Sequence, residues 1–292
     1  MLTCGEHESK RWERAAEAAA SGARRVAWVK KHVLVIGDSL TYHGPDRPHI
    51  LTDARLWPNV MARGLADHGT EIEVDLVARL GWTARDAWWA VTKDPALWGR
   101  VLPRADALIL AVGQMDHLPA AIPTYLRDGI PYLHPASIRR RVRDAYRLLS
   151  PSVIRLTGGR MRQLPQPATD HYLSRITSVV RHFNTGLPVV LLAPGVHRSA
   201  AYPTDRHHRG ALIAARAWAG KHRSACVEIE DLILPSLLDG TANPDGIHYS
   251  WRTHDLIGMA VAQSLRQQGF CSGAFPGRQG DELDLGSSAM GL

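Results

Sequence analysis

Short apolar runs recur along the chain and end at turn-forming or polar residues. We predict strands at VLVI (33–36), EVDLVA (73–78), ALILAV (107–112), PVVLLA (188–193) and CVEI (226–229). Intervals with helical periodicity separate them, and the predicted helices cover 56–67, 83–91, 170–183, 205–222 and 250–268. Such alternation is typical of a parallel sheet covered by helices on both faces. The pattern predicts a doubly wound, flavodoxin-like α/β domain of about five strands.

Both ends of the chain and one internal segment depart from this alternation. Residues 1–32 predict an N-terminal extension and residues 271–292, rich in Gly and Ser, a disordered tail, which leaves one domain at 33–270. Residues 118–169 are rich in Pro, Arg and Tyr and contain one clear helix, at 138–149. A long irregular insertion is more often a lid or a binding loop than filler. We therefore predict an irregular insertion near 118–169 that covers a site.

The composition is that of an ordinary globular protein. Hydrophobic residues make up 45% of the 292 residues and charged residues 22%, which disfavours disordered, coiled-coil and membrane classes. No apolar run approaches the roughly 18 residues that cross a bilayer, and the N-terminus lacks a secretory apolar region with a cleavage site. These features predict a cytoplasmic protein without a membrane span.

Metal and disulfide chemistry are not expected. Cys4, Cys226 and Cys271 lie far apart and form no C-x-x-C pair, which argues against a disulfide framework and a cysteine zinc site. His207 and His208 have no carboxylate or third histidine at ligand spacing. We expect no permanently bound cofactor.

The formal charge of +7 favours anionic partners. No helix-turn-helix, finger or RNA-binding signature accompanies it, so nucleic acid is not expected. A coenzyme A (CoA) thioester or a sugar acid fits the charge as well. The one basic cluster, IRRRVRDAYR at 138–147, is equally compatible with CoA phosphates and with a solvated helix face. The oligomeric state is left open.

A hydroxyl follows directly after the first predicted strand, in VLVIGDSLTYHGP. Ligands and catalytic groups collect beyond the carboxyl ends of the strands in open α/β sheets, so Ser39 lies where a nucleophile would be. Asp38 and Ser39 are also common capping residues, because both accept hydrogen bonds from free N–H groups. The first strand alone does not decide between a cap and a catalyst.

An acid and an imidazole occur together near the C-terminus, in NPDGIHYS. Acyl transfer by a hydroxyl needs an imidazole to take its proton and a carboxylate to orient that imidazole. Asp245 and His248 can supply both from one short loop. The alternative is a turn at Asp245 and a helix start at His248.

Two further loops follow predicted strands. Gly81, in VARLGWTARD, can present an unhindered N–H to a developing oxyanion, although simple loop geometry would also explain a glycine. GQMD, residues 113–116, follows the third strand. Three loops with these residue types at one sheet edge are much more informative than any one of them alone.

These blocks resemble the SGNH (GDSL-type) hydrolase superfamily. GDSL at 37–40, Gly81, GQMD at 113–116 and DGIH at 245–248 stand in that family's order and spacing. The resemblance implies an SGNH hydrolase fold, Ser39, Asp245 and His248 as a catalytic triad, and the Ser39 and Gly81 N–H groups as oxyanion donors. Thr41 stands where the G-x-S-x-G elbow of other α/β-hydrolases has glycine.

One block departs from the superfamily pattern. Met115 stands where the superfamily has an oxyanion asparagine, so one side-chain donor is missing, a loss on the order of a hundredfold in rate. Gln114 and Arg85 are nearby candidates to replace it, and the residues do not decide between them.

Longer stretches are similar to the mycobacterial diglucosylglycerate octanoyltransferases of methylglucose lipopolysaccharide synthesis, a group that also has this methionine. They are RLWPNVMA, RLGWTARDAWWA, DPALW, GQMDHLP, HHRG and NPDGIHYS. This resemblance implies octanoyl transfer from acyl-CoA to a glucosylglycerate-type hydroxyl. The candidate substrate-binding residues are Asp38, Arg79, Trp82, Arg85, Gln114, Met115, Asp116, His117 and His208.

Tryptophans and arginines near these blocks suggest how substrates bind. Trp57, Trp82, Trp88 and Trp89 are candidates to line an acyl pocket or stack on a sugar, and core packing is the alternative for at least half of the tryptophans. Arg79 and Arg85 flank Gly81, and either guanidinium can hold a glycerate carboxylate by two hydrogen bonds.

Two other functions are compatible with the same residues. An esterase or carbohydrate O-deacetylase would use the same triad with water as acceptor. A binding protein that keeps the fold without activity is the second alternative.

Overall fold

The computed structural model describes residues 29–66 and 70–270. The predicted tail, and the predicted N-terminal extension up to residue 28, lie outside the described residues.

A parallel sheet forms the centre of the described chain. Its strands are β1 (Val29–Gly37), β2 (Thr70–Ala78), β3 (Ala107–Ala111), β4 (Val189–Leu192) and β5 (Ala225–Val227). They lie in the order β2-β1-β3-β4-β5, and every neighbouring pair is parallel. The predicted flavodoxin-like sheet is confirmed.

The strand order places a switch point at β1. The chain crosses from β1 to β2 on one side and returns to β3 on the other, and ligands bind beyond the carboxyl ends of strands at such a point. Gly37, at the end of β1, is in register with Ala78 of β2 and Ala111 of β3. The loops after these three strands therefore leave the sheet side by side.

Helices cover the sheet. The helices of the described residues are α1 (Trp57–Leu65), α2 (Ala84–Lys93), α3 (Thr124–Gly129), α4 (Ala136–Leu156), α5 (Gln166–Phe183), α6 (His208–Lys221), α7 (Glu230–Leu238) and α8 (Trp251–Gln267). Shorter turns are the 3-10 turns Ser39–Thr41 and Ile130–Tyr132, the π-helical turn Leu97–Val101 and the α-helical turn Leu102–Arg104. Within the described ranges, no helix is both long and apolar enough to cross a membrane.

Two buried clusters lie on opposite faces of the sheet. Alternate residues of a strand point to opposite faces, and β1 follows this rule: Leu34 and Ile36 pack with α2, α5 and α6, whereas Val33 and Val35 pack with α1, α7 and α8. The side chains of these four residues are fully buried. The prediction that helices cover both faces is confirmed.

The first strand begins earlier than predicted. Residues 29–32, which the prediction includes in the N-terminal extension, pair with residues 70–73 of β2. Lys30 forms an ion pair with Glu73 at 2.5 Å, and the His32 N–H donates to Asp106 Oδ2 at 2.8 Å. Polar contacts hold this end of the strand, so its hydrophobicity does not reveal it.

The segment 118–169 is more helical than predicted. Besides α3, it contains α4, which extends the helix expected at 138–149 to Ala136–Leu156. Pro151 favours an earlier end, but the buried residues Ser150 and Ile154 flank it and pack the last turns against the domain. The expectation of an irregular insertion is therefore wrong for most of this segment.

Candidate active site

The turn after β1 presents Ser39 at the carboxyl edge of the sheet. Ser39 begins the 3-10 turn and is 4% exposed. The Leu40 N–H donates to Asp38 Oδ1 (2.9 Å), and Thr41 Oγ1 donates to the Asp38 carbonyl (2.6 Å). A Cβ on Gly37 would lie 2.2 Å from Thr41 Cγ2, so the close approach requires glycine. Capping by Asp38 and presentation of the Ser39 hydroxyl therefore occur in the same turn.

The Asp38 side chain stabilises the Ser39 turn. Its side chain is fully buried and caps the turn, and its second oxygen, Oδ2, has no hydrogen-bond partner among the described residues. Burial disfavours the carboxylate and raises the pKa of Asp38 to about 7. The predicted substrate contact by Asp38 is not supported, because none of its surface is exposed.

Ser39, His248 and Asp245 form a continuous hydrogen-bonded chain. Ser39 Oγ lies 2.9 Å from His248 Nε2, and His248 Nδ1 lies 2.6 Å from Asp245 Oδ2. A carboxylate next to Nδ1 places the proton there, so Nε2 is free to accept the Ser39 hydroxyl proton. The structure thus brings together the three predicted triad residues, and their chemical roles belong to the proposal below.

A tight loop orients Asp245 and His248. Asp245 Oδ1 accepts from the N–H groups of Ile247 (2.8 Å) and His248 (3.1 Å). Gly246 has φ +71°, and a Cβ there would lie 2.6 Å from the Arg198 carbonyl. The Arg198 N–H in turn donates to the Gly246 carbonyl (2.8 Å). Only glycine fits, and the loop is braced by the segment after β4.

The pKa of Asp245 is lowered to about 2. Partial burial alone would raise it, but hydrogen bonds from the His248 ring and from the Ile247 and His248 N–H groups outweigh that effect. Asp245 is therefore ionised at neutral pH, as a residue that stabilises an imidazolium must be.

Gly81 lies on the loop next to the Ser39 turn. Its φ is +70°, and a Cβ there would meet no atom within 4 Å, so the space beside it is open. The in-register ends of β1 and β2 bring the Gly81 loop and the Ser39 turn to neighbouring positions. The convergence of their N–H groups on one oxyanion stays a prediction.

The GQMD block is largely structural. The Gln114 amide bridges the loop after β4: Nε2 donates to the Ala193 carbonyl and Oε1 accepts from the Gly195 N–H, both at 2.7 Å. Asp116 is fully buried and accepts from the Ala84 N–H (3.1 Å) and from Thr169 Oγ1 (2.7 Å). Burial raises the pKa of Asp116 to about 6. These bonds explain why both side chains are buried, and their contact with substrate stays a prediction.

Met115 is half-buried beside the Ser39 turn. It lines a small cavity with Leu40, Ile247 and Tyr249, which neighbour Ser39 and His248 in sequence. A thioether is at best a weak hydrogen-bond acceptor and does not donate. The side chain that occupies the predicted donor position therefore supplies bulk and no donor.

No protein-family model matches the chain. Curated relatives do. The chain is 39% identical over 240 residues to the diglucosylglycerate octanoyltransferase of Mycolicibacterium hassiacum, covering 81% of this chain and 95% of the relative. It is 36% identical over 238 residues to the enzyme of the same name from Mycobacterium tuberculosis, covering 81% and 93%. The chain belongs to the diglucosylglycerate octanoyltransferase family. An enzyme of acyltransferase or esterase type, as predicted, is thereby supported.

Solved structures share the fold of this octanoyltransferase family member. A lipase/acylhydrolase from Enterococcus faecalis superposes with a TM-score of 0.54 at 14% identity, over 82% of this chain and 96% of the other. An aryl esterase from M. smegmatis superposes with a TM-score of 0.53 at 15% identity, over 82% and 99%. At this identity the likeness concerns the fold alone, and the predicted SGNH hydrolase fold is confirmed.

The two arginines that flank Gly81 in this octanoyltransferase family member differ in their contacts. Arg85 forms an ion pair with Asp128 of α3 and a second one with Asp86 at 3.5 Å. Arg79 is exposed and forms no ion pair with a described residue. Arg85 is thus committed to holding α3 against α2, which argues against its predicted roles as carboxylate clamp and oxyanion donor. Arg79 stays a candidate.

The four singled-out tryptophans lie in different surroundings, and Trp82 lines an open groove. Trp57 is 1% exposed in the core, Trp88 lies under the Arg175 guanidinium at 4.5 Å, and Trp89 is 46% exposed on α2. Trp82 lines a groove of ≈ 620 Å³ along β2 and α2. The other lining residues are Leu76, Val77, Ala78, Arg79, Ala90, Lys93, Asp94, Pro95 and Leu97.

The candidate histidines of the octanoyltransferase family member are buried. His117 is 3% exposed, burial lowers its pKa to about 3, and neither ring nitrogen has a partner among the described residues. His208, at the start of α6, is 8% exposed with Nε2 3.0 Å from the Pro194 carbonyl. Both histidines stay candidates for substrate contact, and His117 lines the same small cavity as Met115. Within the described ranges, no group of three or more metal-ligating side chains is placed to hold a metal ion.

One residue at the site was not predicted. The His43 ring stacks on the His248 ring, with centroids 3.8 Å apart and planes at 20°. His43 follows Ser39 by four positions in the same loop, but sequence gives no sign that its ring meets a loop about 200 residues later.

Proposed function

We propose that this protein transfers an octanoyl group from acyl-CoA to a hydroxyl of a glucosylglycerate-type acceptor through an acyl-enzyme on Ser39. The observation that carries the proposal is the hydrogen-bonded chain from Ser39 Oγ through His248 to Asp245, 2.9 Å and 2.6 Å in length. The relatives' name supports the acyl group and the acceptor.

The first half-reaction would acylate Ser39. Its Oγ attacks the thioester carbonyl while its proton passes to His248 Nε2, and Asp245 stabilises the imidazolium. The C–S bond then breaks, and the CoA sulfur leaves with the proton from His248. Octanoyl-Ser39 and free CoA are the products.

The second half-reaction would use the acceptor. A sugar hydroxyl gives its proton to His248 Nε2 and attacks the octanoyl ester, and the proton returns to Ser39 Oγ as the C–O bond to serine breaks. Ser39 is regenerated, and the new ester carries the octanoyl group. Water in the acceptor's place would give octanoate.

The groove beside Gly81 fits the acyl donor. Leu76, Val77, Trp82 and Leu97 give it apolar walls for a hydrocarbon chain, and it follows β2 toward the Gly81 loop. Exposed Arg79, which also lines the groove, is suited to hold the glycerate carboxylate of the acceptor. We therefore assign the octanoyl chain to this groove and the Ser39 and Gly81 N–H groups to its carbonyl oxygen.

The donor also implies a compartment. Because CoA thioesters are cytoplasmic metabolites, we propose a cytoplasmic location, which fractionation of cells that produce the tagged full chain would test.

The deciding experiment is product analysis. Full-length protein is incubated with octanoyl-CoA and diglucosylglycerate, and octanoylated sugar and free octanoate are quantified, with Ser39→Ala as the control. We expect octanoylated sugar to dominate at saturating acceptor and both products to be absent for Ser39→Ala. Free octanoate as the main product would favour the esterase alternative, and an active Ser39→Ala variant would exclude the acyl-enzyme.

A further inference from the structure

His43 contacts both partners of the proposed proton transfer. Its ring packs face to face with the His248 ring at 3.8 Å. Its backbone N–H donates to the Ser39 carbonyl at 2.8 Å. One residue thus joins the backbone that carries the hydroxyl to the imidazole that would accept its proton.

His43 is itself held from several directions. Nδ1 donates to the Gly44 carbonyl (2.7 Å), and the His43 carbonyl accepts from His254 Nε2 (3.1 Å). His254 is fully buried on α8, and its Nδ1 accepts from the Trp57 N–H at the start of α1 (3.2 Å). Two helices of the domain therefore brace the His43 loop.

We propose that His43 is a positioning residue that fixes the plane of the His248 ring. Asp245 and Ser39 contact opposite edges of that ring, so their bonds define an axis and resist a tilt about it only weakly. A flat ring on one face blocks that tilt. Nε2 then stays directed at Ser39 Oγ while the proton moves, which reduces the reorganisation the reaction requires.

Stacking of the two rings favours the proposed proton transfer most when His43 is neutral. His248 becomes an imidazolium in each half-reaction, and a second cation on its face would oppose that charge. Burial lowers the pKa of His43, an effect that the hydrogen bond to Gly44 partly offsets. Besides His248, the charged groups that face His43 are Asp245 and Asp46, which favour its protonation, and His254 contacts its backbone.

This inference rests on the proposed function, because it assumes that His248 is the base. The test compares His43→Ala and His43→Phe with His182→Ala, which changes an exposed histidine on α5. Measurements on the full chain are labelling of Ser39 by a fluorophosphonate, kcat and KM for p-nitrophenyl octanoate between about pH 5 and pH 9, and the melting temperature.

We expect His43→Ala to lower kcat and the labelling rate about 10- to 100-fold, with KM changed less than about twofold. His43→Phe restores a flat face and should recover most of kcat. It should also show a less steep acid limb, because a phenyl ring cannot be protonated. His182→Ala should match the wild type.

Wild-type rates in His43→Ala would overturn the inference. So would equal losses of kcat in the Ala and Phe variants that track equal losses of melting temperature, since the ring would then serve folding alone. A wild-type protein that is not labelled at Ser39 would instead overturn the proposed function, whatever the His43 variants do.

Discussion

Three histidines near Ser39 each have a tautomer set by the bond at one ring nitrogen. Asp245 places the proton of His248 on Nδ1, and the Gly44 carbonyl does the same for His43. His254 has the opposite tautomer: its Nδ1 accepts from the Trp57 N–H, so the proton is on Nε2, which donates to the His43 carbonyl. The one imidazole that needs a free lone pair toward Ser39 therefore has it.

Met115 stands where the resemblance to the SGNH hydrolases implies an asparagine that donates to the oxyanion. We expect Met115→Asn to raise the hydrolysis of p-nitrophenyl octanoate about 10-fold, because a single oxyanion donor is worth on the order of 100-fold in rate elsewhere. Met115→Leu is the matched control, since it keeps the bulk and adds no donor. A rate for Met115→Asn no higher than for Met115→Leu would show that no donor is lacking.

The contacts of Arg79 and Arg85 predict different outcomes for the same substitution. Arg79→Lys should lower octanoyl transfer to diglucosylglycerate about 10-fold while hydrolysis falls less than about twofold, because Lys keeps the charge and loses the fork. Arg85→Lys should change both rates alike, since its guanidinium holds Asp128. The ratio of sugar ester to octanoate at fixed acceptor is the measurement. An unchanged ratio in Arg79→Lys would remove Arg79 from the acceptor site.

At the scale of the elements, what could be predicted depends on where the signal resides. The strands of the sheet are short apolar runs, so hydrophobicity alone locates them. Lys30, Lys31 and His32 near the start of β1 are polar, and Lys30 forms an ion pair with Glu73 of β2. Helix α7, which was not predicted, contains Pro235. Propensity and periodicity carry no signal for contacts that other parts of the chain supply.

The residues of the site also divide into those that the sequence identifies and those that it does not. Ser39, Asp245 and His248 lie in short motifs that can be singled out from the sequence, and the structure brings them together. The contacts of Arg85 and Gln114 could not be predicted, because their partners are distant in sequence. Arg85 pairs with Asp128, and Gln114 bonds to the backbone of residues 193–195. The substrate candidates were therefore less predictable than the triad.

The loop between Asp245 and His248 tests how an element positions a site. Gly246→Ala should cost about 3 kcal/mol of unfolding free energy or more, from positive φ and from the clash with the Arg198 backbone. The control is Gly240→Ala, with φ +75° and open space, expected to cost about 1 kcal/mol. Urea unfolding measures both.

Labelling of Ser39 in the same two variants separates an effect on stability from an effect on function. Gly246→Ala should lower the labelling of Ser39 about 100-fold in the fraction that remains folded, since the carboxylate and imidazole shift together. Gly240→Ala should label at the wild-type rate. Equal labelling by both variants would mean that the loop tolerates displacement.

At the scale of the whole molecule, two helices on one face of the sheet hold the two loops of the site. The Ser39 turn is anchored to α1 by Trp57 Nε1, which donates to the Leu40 carbonyl at 3.2 Å. The His248 loop leads into α8, and α8 packs with α1 on the same face of the sheet. Residues 209 positions apart in sequence can therefore keep a 2.9 Å bond, because one helix pair carries both loops.

His254 couples that helix pair to pH. Burial lowers the pKa of His254 to about 4, an effect that the bond to the His43 carbonyl partly offsets. The unfolded chain therefore binds a proton at this residue below about pH 6.5, whereas the folded chain does not until about pH 4. Because the unfolded state binds more protons at this residue in this window, the contribution of His254 to stability falls as the pH falls through it.

We expect protonation of His254 in the unfolded chain to lower the unfolding free energy by on the order of 2 kcal/mol as the pH falls from about 6.5 to about 4. Asp38 and Asp116, whose pKa values are raised to about 7 and about 6, act in the opposite direction, since their folded forms hold protons more tightly. They are present in both wild type and His254→Gln, so the difference between the two pH profiles isolates His254. Urea unfolding at several pH values is the measurement: the variant should be less stable at neutral pH and approach the wild type toward acid. Parallel profiles would mean that His254 titrates alike in both states and does not link the helix pair to pH.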